Sequence, residues 1–365
     1  MATTADPRPP TLWCPIAVRT HPQSALIEER TNRWLLDHRI VARDEEHRER
    51  LTSYGLGWIA SMFFPHADLE RAQLGADLIC AWGFPVDDLI DDVRQDSDRV
   101  VLRLNNLLRL LDVPSCPPVD DDPLAAAWVE ARSRLVRFAT PAQIARHTES
   151  WRLWFFGGAC ERAQRSLGGV PDLNETVTVK LYGVGAAVPM TYCEIAGDYR
   201  LDADELARPD VKALGEMMWI LCNWDNDIFS LPRDLTNGIG ESNLITILAR
   251  RDGTGVPEAV ATALAMRNQV MALFLRLRAR VLPQVSEPMR LYLRDVGLQI
   301  AAYTEFWHHS SREKLEVDPA YAGLLPEIEV DTSPDAVTLE GPLPVPAIAW
   351  WWECLEAPLA AGAGW

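Results

Sequence analysis

Cysteine is sparse in this chain: seven in 365 residues, an odd number with no Cys-x-x-Cys pair. That excludes a disulfide framework or a zinc ribbon and points to reduced thiols in a cytoplasmic setting. Positive charge is also short, with 35 Lys and Arg against 52 Asp and Glu and a net charge of −17. Such a balance argues against a nucleic-acid partner or an anionic membrane surface. No uncharged apolar run approaches the roughly 18 residues of a membrane-spanning helix. The first 20 residues hold three charges of mixed sign and four prolines, without the apolar core of a signal peptide. Period-two alternation is nearly absent, and no redox-cofactor motif, internal repeat or low-complexity array stands out.

Helical periodicity is what remains. It starts at Ile27 and predicts helices over 51–64, 67–92, 100–111, 124–138, 141–165, 174–196, 206–234, 243–250, 257–281 and 287–307. The fold class is therefore all-α. Residues 1–24 read as an extended, Pro-rich arm, and 25–315 as one α-helical domain. Residues 316–365 form a Pro- and Trp-rich tail, with three consecutive tryptophans at Trp350–Trp352. So large an aromatic patch marks a contact: the tail packs on the domain, covers the active site, or meets a second subunit in a homodimer. Asp120–Asp122 sits between proline-rich segments and reads as a solvated turn.

Two stretches carry chemistry. Asp87, Asp88, Asp91 and Asp92 follow an apolar run. On a helix Asp87 and Asp91 share a face, one turn apart. Carboxylates so close repel, and a hard divalent cation such as Mg²⁺ relieves this with oxygen ligands shared with substrate phosphates. Further on, Asn226, Ser230 and Asp234 stand at i, i+4 and i+8. They form a row of amide, hydroxyl and carboxylate oxygens on one helical face. Asn and Ser are poor interior helix residues, so such a row suggests a second metal site.

These motifs resemble those of the class I terpene synthases of the microbial type. Asp87-Asp88-Leu-Ile-Asp91 matches that family's aspartate-rich motif, and Asn226-Asp227-Ile-Phe-Ser230-Leu-Pro-Arg-Asp234 matches its Asn/Ser/acid motif, with 139 residues from Asp87 to Asn226 (226 − 87). The likeness covers roughly residues 25–315 and implies a single helical bundle around a central cavity. It implies three Mg²⁺, with Asp87 and Asp91 holding two, Asn226, Ser230 and Asp234 holding one, and Asp88 and Asp92 orienting partners. The substrate implied is an allylic isoprenyl diphosphate, cyclised after ionisation to a terpene hydrocarbon or alcohol. The motifs are silent on chain length; farnesyl diphosphate comes first, then geranylgeranyl, then geranyl diphosphate.

The corresponding position to the family's diphosphate-sensing arginine is Lys180, 46 residues before Asn226 (226 − 180). Lysine offers a point charge and no fork. Gly183, Gly185 and Pro189 then break the helix. Arg312 matches the family's late Arg-Tyr pair, but Glu313 replaces the tyrosine. Arg233 stands where members of that family commonly have a lysine, so the resemblance implies a further phosphate contact there; Asp227 is expected to face a basic partner, and Pro232 should bend its helix. Among aromatic candidates for facing a carbocation, Trp82, Phe84 and Trp307 lead; Tyr54, Trp58, Phe155, Phe156 and Trp219 follow. The alternatives are a chain-elongating prenyltransferase, which would carry two aspartate-rich motifs, and a non-catalytic helical binding protein. No Asp-x-Asp-Asp motif for protonation-initiated cyclisation is present.

Overall fold

A computed structural model describes residues 10–40, 49, 51–118, 121–314, 317–334 and 337–357. Helices dominate it. The elements that build the site are α1 (Ser24–Asp37), α2 (Leu56–Phe63), α3 (Leu69–Gly75) and α4 (Trp82–Asp91). They continue with α5 (Ser97–Asp112), α6 (Pro123–Leu135), α7 (Pro141–Leu167), α8 (Leu173–Gly183) and α9 (Ala187–Ala196). The series ends with α10 (Pro209–Thr236), α11 (Leu244–Asp252), α12 (Val256–Val281) and α13 (Glu287–His309). Among the described residues the only strands are two of three residues each, β1 (Thr11–Trp13) and β2 (Glu329–Asp331), paired in parallel. The all-α expectation holds, and the N-terminal arm is tied to the C-terminal tail by this small ladder.

Three predicted helices divide. The expected segment 51–64 breaks at Gly55, whose φ of 76° is left-handed and suits glycine. The segment 67–92 contains a π-helical stretch, Ala76–Ala81, between α3 and α4. Pro85 lies inside α4, and its ring cannot donate to the carbonyl of Ala81. Widening the helix just upstream accommodates that missing bond, a device frequent at functional sites. The segment 174–196 separates into α8 and α9 at Gly185, where φ is +70°. Pro232, in contrast, lies within α10, which runs on to Thr236; its missing N–H leaves only the Ile228 carbonyl without its helical donor.

The bundle interior is largely apolar and holds, away from the cavity, a fully buried ionic knot. Arg267 on α12 and Asp225 on α10 are both 0% exposed and pair through two contacts of 2.7 and 3.1 Å. Thr304 on α13 donates to Asp225 at 2.7 Å, and Arg267 also donates to the Trp13 carbonyl of β1. Asn268 adds hydrogen bonds to Trp13 N and Thr11 O. Removing one partner of a buried pair strands the other charge, so this knot fixes three helices and the arm together.

The tryptophan tail packs back on the domain. Its helix α14 (Trp350–Glu356) lies against α10 and α12, and buried Trp351 donates to Glu216 at 3.0 Å. Asp120 lies outside the described residues, whereas Asp122 is not a solvated turn residue. It caps α6 and binds Arg103 at 2.7 Å.

Candidate active site

The face arithmetic of α4 places the first motif. Asp87 and Asp91 line a cavity together with Gly83 and Phe84, four and three residues upstream of Asp87. From α10, Asn226 and Asp234 line the same cavity. It encloses about 1000 Å³ of atom-free space, counting the solvent at its mouth. Its deeper wall is Phe63, Ile79, Val188, Trp151, Trp154, Tyr303 and Trp307. Carboxylates thus sit at the mouth and aromatic faces below.

The cationic side chains at that mouth are held by carboxylates. Arg312, 2% exposed, donates to Asp87 at 2.7 Å, to Asp88 at 3.0 Å and to Glu313 at 3.1 Å. Arg233 reaches Asp88 at 3.0 Å. Lys180 stands 3.5 Å from Asp227, so Asp227 does face a basic partner. Burial opposes the ammonium's charge, yet Asp227, Glu161, Asp234 and Asp91 hold it protonated well above the ordinary lysine range. Ser230 donates to Asp234 Oδ2 at 2.7 Å, and Asn243 Nδ2 donates to the same oxygen at 2.9 Å. Asp92 turns outward to Arg94 at 2.8 Å.

The carboxylates pay for their enclosure in raised proton affinity. Asp87 is pushed up to about 7, first by lost hydration and then by Asp91 and Asp88, against the pull of Arg312 and Arg233. Asp227 is pushed up to about 6 by burial, with Lys180 opposing. Burial also raises Asp234 and Glu161. Among the described residues no three Asp, Glu, His or Cys side chains converge closely enough to hold a metal by themselves. The Asn226 amide faces the cavity without a hydrogen bond from the described residues. An all-oxygen donor set with a surplus of carboxylates and ligands left open suits a hard cation that shares its shell with water and phosphate.

The family model for terpene synthase family 2, C-terminal metal binding, matches residues 79–272, which span Asp87 through Asn243. Bonnadiene synthase of Allokutzneria albata is 30% identical over 360 residues, covering 94% of this chain and 97% of its own. The chain belongs to the class I microbial terpene synthases. A (+)-(1(10)E,4E,6S,7R)-germacradien-6-ol synthase of Streptomyces pratensis is likewise 30% identical, covering 96% of this chain and 98% of its own. The crystal structure of the SVS_A2 protein, from ancestral sequence reconstruction, superposes with a TM-score of 0.77 at 26% identity, covering 94% and 98% of the two chains. This terpene synthase is accordingly a lyase that acts on an isoprenyl diphosphate, in a family that binds metal.

One aromatic expectation is corrected. Trp82 does not line the synthase cavity: it is fully buried, donates to the Leu124 carbonyl at 2.7 Å and meets Trp151 edge-on with ring centroids 4.8 Å apart. Five residues from Asp87, it lies about 140° round the helix. Trp151 and Trp154 of α7 take the cavity wall instead, while Phe84 and Trp307 line it as expected. Tyr54 borders the polar vestibule outside the mouth. Phe155 is core, Phe156 is 63% exposed, and Trp58 and Trp219 pack against the core without reaching the cavity.

Glu161, Arg165 and Asn243 line the cavity without having been singled out from sequence. Their signal was faint: an acidic and a basic residue at i, i+4 on a long helix resemble any solvated pair. The Gly157-Gly158 pair inside that helix was the better clue. A side chain at Gly157 would sit 2.4 Å from the Gly183 backbone, and one at Gly183 would sit 1.8 Å from Glu161. Glycines therefore let α7 and α8 touch, which brings Glu161 and Arg165 beside Lys180.

Proposed function

We propose that this terpene synthase is Mg²⁺-dependent, holds three Mg²⁺, and ionises and cyclises farnesyl diphosphate. The observation that carries this is the convergence of Asp87, Asp91, Asn226 and Asp234 on the mouth of one aromatic cavity. Asp87 and Asp91 would hold two ions, and Asn226, Ser230 and Asp234 the third. When bound, the ions supply Lewis-acid stabilisation of the departing diphosphate. Lys180, Arg233 and Arg312 orient the diphosphate at the mouth, where Asp88 and Glu313 hold the two arginines in place. Phe84, Trp151, Trp154 and Trp307 exclude water below and face the hydrocarbon with π-electron density, each ring worth roughly 0.5–2 kcal/mol to a cation.

The choice of farnesyl diphosphate draws support from the (+)-T-muurolol synthase of Streptomyces clavuligerus, 29% identical over 96% of this chain, whose name states that it cyclises (2E,6E)-farnesyl diphosphate. Competing farnesyl, geranylgeranyl and geranyl diphosphates in one reaction and ranking kcat/KM tests it. Farnesyl diphosphate should rank first, and a clear preference for the C20 substrate would overturn that choice. EDTA should abolish turnover and Mg²⁺ restore it; full activity in metal-free buffer would remove the metal mechanism. Chain elongation upon adding isopentenyl diphosphate would favour the prenyltransferase alternative.

A further inference from the structure

Four cationic side chains line the cavity: Arg165, Lys180, Arg233 and Arg312. Arg165 is the one with no part in the motifs. It projects from α7, with 15% of its side chain exposed. Its Nη2 donates to the Ile90 carbonyl at 2.8 Å, at the end of the aspartate helix. Its Nη1 stands 3.5 Å from Asp91 and 3.8 Å from Glu161, at ion-pair range. One arm of the guanidinium is thus anchored, and the other lies beside the carboxylates that face the substrate.

A purely structural duty for Arg165 would be to cap the last carbonyls of α4. That duty is already filled one turn back. Arg162, 4% exposed, donates to Ile90 O at 2.7 Å, Asp92 O at 3.3 Å and Gln95 O at 2.6 Å, and it does not line the cavity. Lys180, across the α7–α8 contact, has a single ammonium point, committed to Asp227 at 3.5 Å. An ammonium cannot grip phosphate oxygens bidentately, whereas a guanidinium can.

We propose that Arg165 is a diphosphate-binding residue of this synthase, supplying from α7 the forked contact that Lys180 cannot make. The proposal rests on the diphosphate-substrate reading above. Anchoring of Nη2 on Ile90 preorganises the fork, so less rotamer entropy is lost when it closes on the ligand. Glu161 and Asp91 keep the guanidinium aimed while the site is open, and both lie within 4 Å of the arm that turns to phosphate.

The test measures binding of inorganic diphosphate in the presence of Mg²⁺ by calorimetry, alongside steady-state kinetics and thermal melting. The variants are Arg165→Ala, Arg165→Lys, Arg162→Ala and Arg165→Ala/Lys180→Arg. Loss of a charge-assisted forked contact should weaken diphosphate binding by about tenfold or more in Arg165→Ala. Arg165→Lys should fall between it and wild type. Lys180→Arg should recover part of the loss, because it returns a fork to the same cavity. Arg162→Ala should lower the melting temperature while its diphosphate affinity stays within about threefold of wild type. If Arg165→Ala binds diphosphate like wild type, or Arg162→Ala weakens it equally, the proposal falls and Arg165 is a helix-end clamp. A wild type that binds no diphosphate at all would instead overturn the substrate reading, and this proposal with it.

Discussion

Asn226 and Asp87 differ from the core residues around them in having ligand positions left open. Replacing Asn226 or Asp87 by Ala removes an oxygen from the mouth without opening a core cavity. Turnover should fall by about 100-fold or more, with helical circular dichroism and the melting temperature near wild type; a large loss of fold would contradict the assignment. Lys180→Arg should keep most of the kcat/KM, and Lys180→Ala should lose most of it, since Asp227 is then left buried without its cation. His147 offers a pH prediction away from the chemistry. It is buried against Trp151 and Thr191, and burial lowers its pKa to about 3 from an ordinary 6.5. The folded state therefore keeps the ring neutral while the unfolded chain takes up a proton. Its contribution is complete above pH 6.5 and is lost as pH falls toward 3, by up to about 1.4 kcal/mol per unit. Melting curves at pH 7 and pH 5 should show this slope, and a His147→Gln variant should flatten it.

At the scale of elements, two helix irregularities shape the cavity. The π-stretch Ala76–Ala81 sits directly below the aspartate helix and contributes Ile79 and Cys80 to the wall. The α8–α9 break places Gly183, Val184 and Gly185 on the opposite side. Gly185 combines φ +70° with a Trp154 ring only 2.8 Å from where a Cβ would lie. Gly185→Ala should cost about 1–3 kcal/mol and push Trp154 out of its place in the wall. Thermal melting would register the first effect, and a changed product profile by gas chromatography the second. An unaltered profile would mean that Trp154 does not shape the hydrocarbon.

The whole molecule separates the proposed metal-binding residues from bracing contacts along α10. Asn226, Ser230 and Asp234 occupy its second half, while Glu216, which receives Trp351 of the tail, lies ten residues before Asn226, about 15 Å along the axis. Trp351→Ala should cost about 3–5 kcal/mol, read as a lower melting temperature, while turnover per folded molecule at low temperature stays near wild type. A selective loss of kcat in a stably folded variant would assign the tail to catalysis instead.

Some of this protein was determined by local sequence alone. The rows of polar side chains on α4 and α10 follow from helical spacing, because i, i+4 and i+8 share a face wherever the helix sits. The break after Lys180 follows from glycine chemistry, and the all-α class from the absence of period-two alternation. Trp82 could have been assigned correctly by the same face arithmetic, counted from Asp87. The π-stretch was not legible, since Pro85 announces a disturbed helix but not how the turn upstream absorbs it. The partner of Lys180, the seat of the tryptophan tail and the entry of Glu161 and Arg165 into the cavity were decided only by tertiary packing. Each depends on two segments far apart in sequence approaching at a set distance, as Gly157 and Gly183 do where α7 meets α8. No pattern within a single helix encodes such an approach.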